Sequence, residues 1–439
     1  MGFFGRKRAP SVPHPRKEPR FDGPLTLEGL EQIFQDCVDF TKRPVSLGEG
    51  GACTLTLCYL SGMVKMERVS DYVLRPLAQD EALARCGTPR QAMDRMKDGA
   101  LYNLSAEERT RLDAAVFDLV NGCCLLLFPG ESSVLSLNVG TEEKRSISSP
   151  SNETVLKGSR DAFVESLRTN TSIVRRHLKA PELRIREQVV GRQSVTSVDI
   201  LYIEGLTNPH LVEQVAAQLA DIDIDAVLAT GNIEEYIVPA ARTAFPLVQY
   251  TERSDRFCAG LAEGRVGILI DGLPLGYLAP GVLGDFLQAP QDKSESWLLA
   301  SALTLLRYLC MLGTLLLPAL YVAMVTFHQE MIPTRLALSI IAAKQDVPFR
   351  SVFEVIVLLL AFEILQEAGL RLPQSIGQTV SIIGGLVVGS AAVEAKIISP
   401  AVLIVVAIAG IAGYTMPSQE VAGALRIWRF LLALLASAA

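Results

Sequence analysis

The chain is short of the residues that most directly announce chemistry. Its 439 residues include four histidines and two tryptophans, and aromatics make up 6%. The eight cysteines, Cys37, Cys53, Cys58, Cys86, Cys123, Cys124, Cys258 and Cys310, form no CxxC pair. No His or Cys cluster has zinc-ligand spacing, so no metal is expected. Scattered thiols read as a reduced, cytosolic soluble part. "GEGG" (48–51) precedes a strand-like run and no GK[ST] follows, which argues against a phosphate loop. No nucleophile–base pair or Gly-rich cradle stands out, so the chain does not read as an enzyme and no cofactor is expected. Positive charge is not in excess either. The formal net charge of −6 argues against a nucleic-acid partner. The first 21 residues lack the apolar core of a signal peptide. They also lack the Ser or Thr that a myristoylation signal carries at its sixth position. With Arg6, Lys7, Arg8, Arg16, Lys17 and Arg20, residues 1–21 read as a disordered basic tail, either solvated or in contact with anionic lipid.

Apolar residues, by contrast, are abundant: 49% of the chain, with a mean hydropathy of +0.31. The charges concentrate early. Residues 1–296 carry 33 basic and 40 acidic side chains; from Trp297 onward there are eight and seven. Tyr308 to Phe327 is a run of twenty uncharged residues, about 30 Å as a helix. Leu372 to Val393 gives 22 more and Ile397 to Gln419 gives 23. These runs predict a multi-pass helical membrane domain over 293–439, with four or five helices. Ser381, Gly385 and Gly389 recur at four-residue spacing, a small-residue face suited to helix packing in lipid. After Arg429 only ten uncharged residues remain, about half a bilayer, so the last helix reads as truncated.

Before residue 293 the pattern is α/β, and its order repeats. In 22–148, "ACTLTLCYLSG" (52–62) reads as a strand and "ERVSDYVLRPLAQ" (67–79) as a helix. "SAEERTRLDAAVFDLV" (105–120) reads as a second helix with a Ser105/Glu108 capping box, and "CCLLLFPGESSVLSLNV" (123–139) as two strands around a turn. In 149–292, "SVTSVDILYIEG" (194–205), "NPHLVEQVAAQLADI" (208–222) and "RVGILIDGLPLGYLAP" (265–280) give strand, helix and hairpin again. Gly62 to Gly130 spans 68 residues, and Gly205 to Gly272 spans 67. Two α/β subdomains of common ancestry are therefore expected. "TERSDR" (251–256) reads as a ligand-holding run, or as a helix cap from Ser254 or Asp255 with a solvated face.

The stretch "SVFEVIVLLLAFEILQEAGLRLP" (351–373) sets three carboxylates in an apolar run. Ser351 and Glu354 fit a capping box, with the helix ending at Gly369. Glu363 and Glu367 lie four apart on one face near the helix C-terminus, where negative charge opposes the macrodipole. Helix chemistry does not ask for them, and in lipid each would cost a few kcal/mol. They read as carboxylates facing an aqueous ion path shared between subunits, or as interfacial groups paired with Arg371 or Lys344.

The chain resembles the A subunits of spore-germination receptors, the GerA family. The resemblance rests on "KGSRDAFVESLRTNTSIVRRHLKAPEL" (157–183), "VGRQSVTSVDILYIEG" (190–205), "LADIDIDAVLATGNIEEYI" (219–237), "FPLVQYTERSDR" (245–256), "EGRVGILIDGLPLGYLAP" (263–280) and "PALYVAMVTFHQEMIPTRL" (318–336), together with the carboxylate stretch. Gly191, Arg192, Thr251, Glu252, Arg253, Asp255 and Pro333 match family motifs of unassigned role. The resemblance implies a multi-pass subunit in the spore inner membrane, its N-terminal region cytoplasmic. It implies a homo-oligomer working with B and C subunits as a nutrient-gated ion channel. A related member, stage V sporulation protein AF, implies an accessory role that amplifies germination. Ser254 departs from the family's Pro after "TER", and Gln366 from a usual basic residue.

Overall fold

In the computed structural model, residues 21–47, 53–101, 106–140, 161–227, 235–237, 243–371 and 389–438 are described. The basic tail, the GEGG run, Ser105, Ser381, Gly385 and the 372–388 run lie outside them. The chain divides into two compact units. The first holds residues up to 280 apart from 155–158 and 240–249; the second holds those two segments and Gly281–Ala439.

The first unit contains two five-stranded sheets. One is built from β1 (Phe40–Ser46), β2 (Thr54–Leu60), β3 (Ala106–Arg109), β4 (Cys123–Leu127) and β5 (Val134–Asn138), in the order β1-β2-β4-β5-β3. The other has β6 (Leu183–Val190), β7 (Thr196–Ile203), β8 (Gln249–Thr251), β9 (Val266–Ile270) and β10 (Gly276–Ala279), in the order β6-β7-β9-β10-β8. The two orders coincide when each strand is shifted by five. The expected glycine pairs also coincide: Gly62 and Gly205 follow the second strand of each sheet, Gly130 and Gly272 sit between the fourth and fifth, and all four have positive φ.

Alternation along the strands gives each sheet two apolar faces. On the first sheet, one face packs Leu55, Leu57, Leu126 and Leu135 beneath the helical turns of 66–101. The opposite face packs Cys58, Leu60, Leu125 and Leu127 against α1 (Leu112–Val120) and the Leu27–Ile33 helix. On the second sheet, Leu183, Ile185, Leu201 and Leu269 meet α2 (Leu167–His177) and α4 (Ser254–Ala262), while α3 (Pro209–Ala220) lies between β8 and β7 in sequence and packs on β6, β7 and β9. No disulfide links the eight cysteines. Burial pushes the Cys58 and Cys258 thiols up to about 12, so both are inert at neutral pH.

The 105–120 expectation needs correction. Glu108 does not open a helix; it lies in β3, paired along β5, and the helix begins only at Leu112 after Arg111. Arg90 (2.6 Å) and Lys97 both donate to Glu108 and hold its carboxyl down at about 2. Cross-strand and ion-pair partners distant in sequence outweigh a local cap.

The two sheets meet along the chain entering β1. Val38 N–H donates to Ile185 O (3.0 Å), and Ile185 N–H donates to Asp36 O (3.2 Å). Beside this seam, the Arg175 guanidinium donates twice to Asp39, at 2.8 and 3.0 Å. Both side chains are almost fully buried, 1% and 2% exposed. Arg184 on β6 donates to Ile33 O and to Glu204.

In the second unit, α5 (Trp297–Thr326), α7 (Ser351–Arg371), α8 (Pro400–Gly413) and α9 (Gln419–Leu435) surround a core that includes Val322, Val355, Leu359, Val402 and Ala433, and α6 (Thr334–Lys344) lies against α8 outside it. Large apolar side chains also point outward, among them Leu309, Leu320, Ile364, Ile404 and Ile411, a surface that water does not favour. Among the described residues, α5 alone is long and apolar enough to cross a membrane. The 397–419 run does not form one helix. Ser399 and Pro400 start α8, which has 14 residues or about 21 Å; the chain turns after Gly413, and Ser418 caps α9 by accepting from Val421 N–H (3.4 Å). Nor does Gly369 stop α7, which runs to Arg371.

Removing one member of the Arg175–Asp39 pair strands a buried charge. Arg175→Met should lower the unfolding free energy of the purified chain by about 3–5 kcal/mol. Arg175→Met with Asp39→Leu should recover most of it, as read by chemical denaturation.

Candidate functional site

The family-motif residues of the first unit fall into two groups. The β6–β7 turn holds Gly191 and Arg192. A Cβ on Gly191 would stand 2.4 Å from Ser194 Oγ, so the turn requires glycine there. The turn donates from Arg192 N to Ile224 O (2.9 Å) and from Gln193 N to Asp225 O (2.8 Å), while Ser194 Oγ accepts from Val227 N (3.2 Å). Arg192 also pairs with Asp223 at 2.7 Å. The "VGRQSV" motif thus clasps the "DIDIDA" motif.

The second group is "TERSDR", between β8 and α4. Thr251 Oγ1 accepts from Arg253 N–H (3.1 Å), and the Arg253 guanidinium meets Asp255 at 3.0 and 2.6 Å. Phe163 N–H donates to Glu252 O (2.8 Å). Thr251, Arg253 and Ser254 are buried, while Glu252, Asp255 and Arg256 are half-buried, so only part of the run is solvated. Nor does Ser254 or Asp255 cap α4; the cap position is Arg253. The Ser254 hydroxyl lies 3.1 Å from His177 Nε2, and Asp161 lies 3.6 Å from the same nitrogen. Serine and carboxylate share one imidazole nitrogen, so the group cannot relay a proton as a nucleophilic triad does.

Asp199 on β7 faces α2. Its Oδ2 accepts from Thr171 Oγ1 (2.9 Å) and from Arg168 (3.3 Å), while Oδ1 has no partner. Burial raises its carboxyl to about 6, against the lowering influence of Arg168.

In the second unit, the three carboxylates of α7 take different partners. Glu354 does not cap its own helix. It is 1% exposed, and its Oε2 accepts from Ser399 N–H (2.8 Å) at the start of α8. Its Oε1 lies 3.5 Å from Lys344 Nζ, which also donates to Ser351 Oγ. The carboxylate thus ties the start of α8 to α7 and matches the positive helix end. Glu363 meets Arg429 at 2.6 Å and Arg426 at 3.2 Å, both on α9. Glu367 lies one turn further, in an exposed position. Lys344 pairs with Glu354 rather than with Glu363. Sequence reasoning missed Arg426 and Arg429, although their i,i+3 spacing on an apolar helix was a signal. Gly389 packs on α8, its missing Cβ 3.3 Å from Leu403; Pro333 starts α6.

A model of the Bacillus/Clostridium GerA spore germination protein family matches residues 28–439. The chain belongs to the GerA spore germination family. The chain is 37% identical over 411 residues to the uncharacterized membrane protein YfkQ of Bacillus subtilis (strain 168), covering 94% of this chain and 79% of that one. Spore germination protein KA of the same organism is 37% identical over 393 residues, 90% and 72% of the two chains. Spore germination protein GerLA of Bacillus cereus is 34% identical over 400 residues, 91% and 80%. The crystal structure of the N-terminal domain of the A subunit of the Bacillus megaterium spore germinant receptor GerK3 aligns with a TM-score of 0.45 and 27% identity, over 58% of this chain and 94% of that one.

Asp199 sets a pH dependence. Its folded value, about 6, lies above the unfolded value near 3.8, so its ionisation destabilises the fold. That cost is absent below about pH 4 and complete above about pH 6. Asp199→Asn should therefore stabilise the chain at pH 7.5 by roughly 2–3 kcal/mol and leave it unchanged near pH 4, as read by denaturation at both pH values.

Proposed function

We propose that this chain is an A-type germinant-receptor subunit of the spore inner membrane that contributes to a nutrient-gated cation path. In this reading residues 293–439 cross the membrane several times and the first 292 residues lie on the cytoplasmic side. Copies assemble into a ring with B and C subunits and lipid as partners. Family membership and the outward apolar helices of the second unit support the reading. The observation that carries it is the α7 carboxylate pair: Glu363 is fixed by two arginines of α9, and that fixed turn presents Glu367 at an exposed position. Repeated around a ring, Glu367 would favour cations. The four-residue spacing of Ser381, Gly385 and Gly389 suits close helix packing in lipid. The matching strand orders support descent of 22–148 and 149–292 from one ancestral subdomain.

One observation favours a second reading. Two guanidiniums against one carboxylate leave the level of Glu363 net positive, which repels cations and suits an accessory subunit that supports germination without conducting.

Potassium release from germinating spores separates the two. Glu367→Gln should slow release several-fold at unchanged protein level. An unchanged rate would leave the accessory reading. Glu363→Gln strands Arg429 and should instead reduce the amount of folded subunit.

A further inference from the structure

The core of the second unit holds a polar cluster that helix packing leaves incomplete. Tyr321 on α5 is 6% exposed and Ser399 at the start of α8 is 0% exposed. The Tyr321 hydroxyl, the Ser399 hydroxyl and Glu354 Oε1 are all buried without a hydrogen-bond partner. They are neighbours: Ser399 and Glu354 are the polar groups acting on Tyr321, and Ser399 N–H already holds the other Glu354 oxygen. Around them lie Val322, Val355, Ile398 and Val402. Two buried hydroxyls without hydrogen-bond partners, beside a carboxylate oxygen whose counter-charge stands 3.5 Å away, form a socket for a small positive guest. Buried polar atoms of this kind are rarely left unsatisfied.

The charge that now answers Glu354 is the ammonium of Lys344, 3.5 Å from Oε1. Its attachment is weak. Lys344 is the last residue of α6, a helix that buries none of its side chains, and the lysine side chain is itself 25% exposed. A second tether on this side, Lys396 to Asp346 (2.5 Å), lies at the surface. Withdrawal of Lys344 into water would leave Glu354 buried and unmatched, which is strongly unfavourable unless another cation replaces it. One carboxylate and two neutral hydroxyls balance a single positive charge. A divalent ion is normally held by more oxygens and more charge.

We propose that Glu354, Tyr321 and Ser399 form a binding site for one monovalent cation, and that the tethered ammonium of Lys344 answers only its carboxylate in this structure. The exchange is charge-neutral: one cation leaves the carboxylate as another arrives. The use of the site in conduction rests on the proposed function; binding itself does not.

The test uses the full chain purified in detergent, with potassium chloride as the probe and N-methylglucamine chloride at matched ionic strength as the control. Lys344→Gln and Lys344→Met remove the counter-charge of the socket's carboxylate. Their unfolding midpoints should rise by several degrees between about 1 and about 100 mM potassium, with no rise in N-methylglucamine. Adding Glu354→Gln to Lys344→Gln should abolish the difference. Equal midpoints in both salts, or Lys344 variants that fail to fold equally in both, would make Lys344 a structural counter-charge only and overturn the proposal. Rubidium-86 flux in proteoliposomes then separates site from path. Potassium-specific stabilisation with faster flux in Lys344→Gln supports both. The same stabilisation without flux keeps the site and removes the conducting role.

Discussion

A charge placed inside an apolar helical layer has to be matched, and the second unit of this protein is organised around that demand. Helix α7 brings two carboxylates into the layer. Glu354 is answered by the start of α8 and by Lys344, and Glu363 by Arg426 and Arg429 of α9. These contacts join α7 to three other helices, so the charges that make the segment costly in lipid also hold its bundle together. Arg307 follows the same logic on α5. Its guanidinium donates to Leu287 O (3.1 Å) and to Asp292, leaving the twenty residues after it free of charge.

The first unit meets a related demand between two sheets. Both sheets have the same strand order, and each covers its faces with helices from its own half. Among the contacts that join them are a short strand-like pairing at Asp36–Val38, the buried Arg175–Asp39 pair and the Arg184 bond to Ile33 O. The family motifs of this unit also resolve into fasteners. "VGRQSV" holds the chain that leaves α3, and "TERSDR" fixes the chain that re-enters as β8. Between those two points, residues 240–249 belong to the second unit. Both motifs therefore fasten stretches of the α/β unit that precede and follow that segment in sequence.

Periodicity made much of this legible. The strands at 54–60, 123–127, 134–138, 196–203 and 266–270 stand where alternation and glycine turns put them, because those signals are local. The charged residues were read less well, because their partners are distant in sequence. Ser105 and Glu108 looked like a capping box, yet Glu108 sits in a strand held by Arg90 and Lys97. Ser351 and Glu354 looked like another, yet Glu354 serves a helix start 45 residues away. Arg175 and Asp39 are 136 residues apart, and no spacing rule links them. Apolar run length also overstated continuity at 397–419, where Ser399, Gly413 and Ser418 divide the run.

The central claim is that the second unit forms part of a cation path. Planar-bilayer recording of this chain, reconstituted with the B and C subunits proposed as its partners across a potassium chloride gradient, tests that claim most directly. The account predicts nutrient-dependent current whose reversal potential lies toward the potassium equilibrium potential. Current with no cation preference, or no current from a receptor that assembles and binds its nutrient, would contradict it.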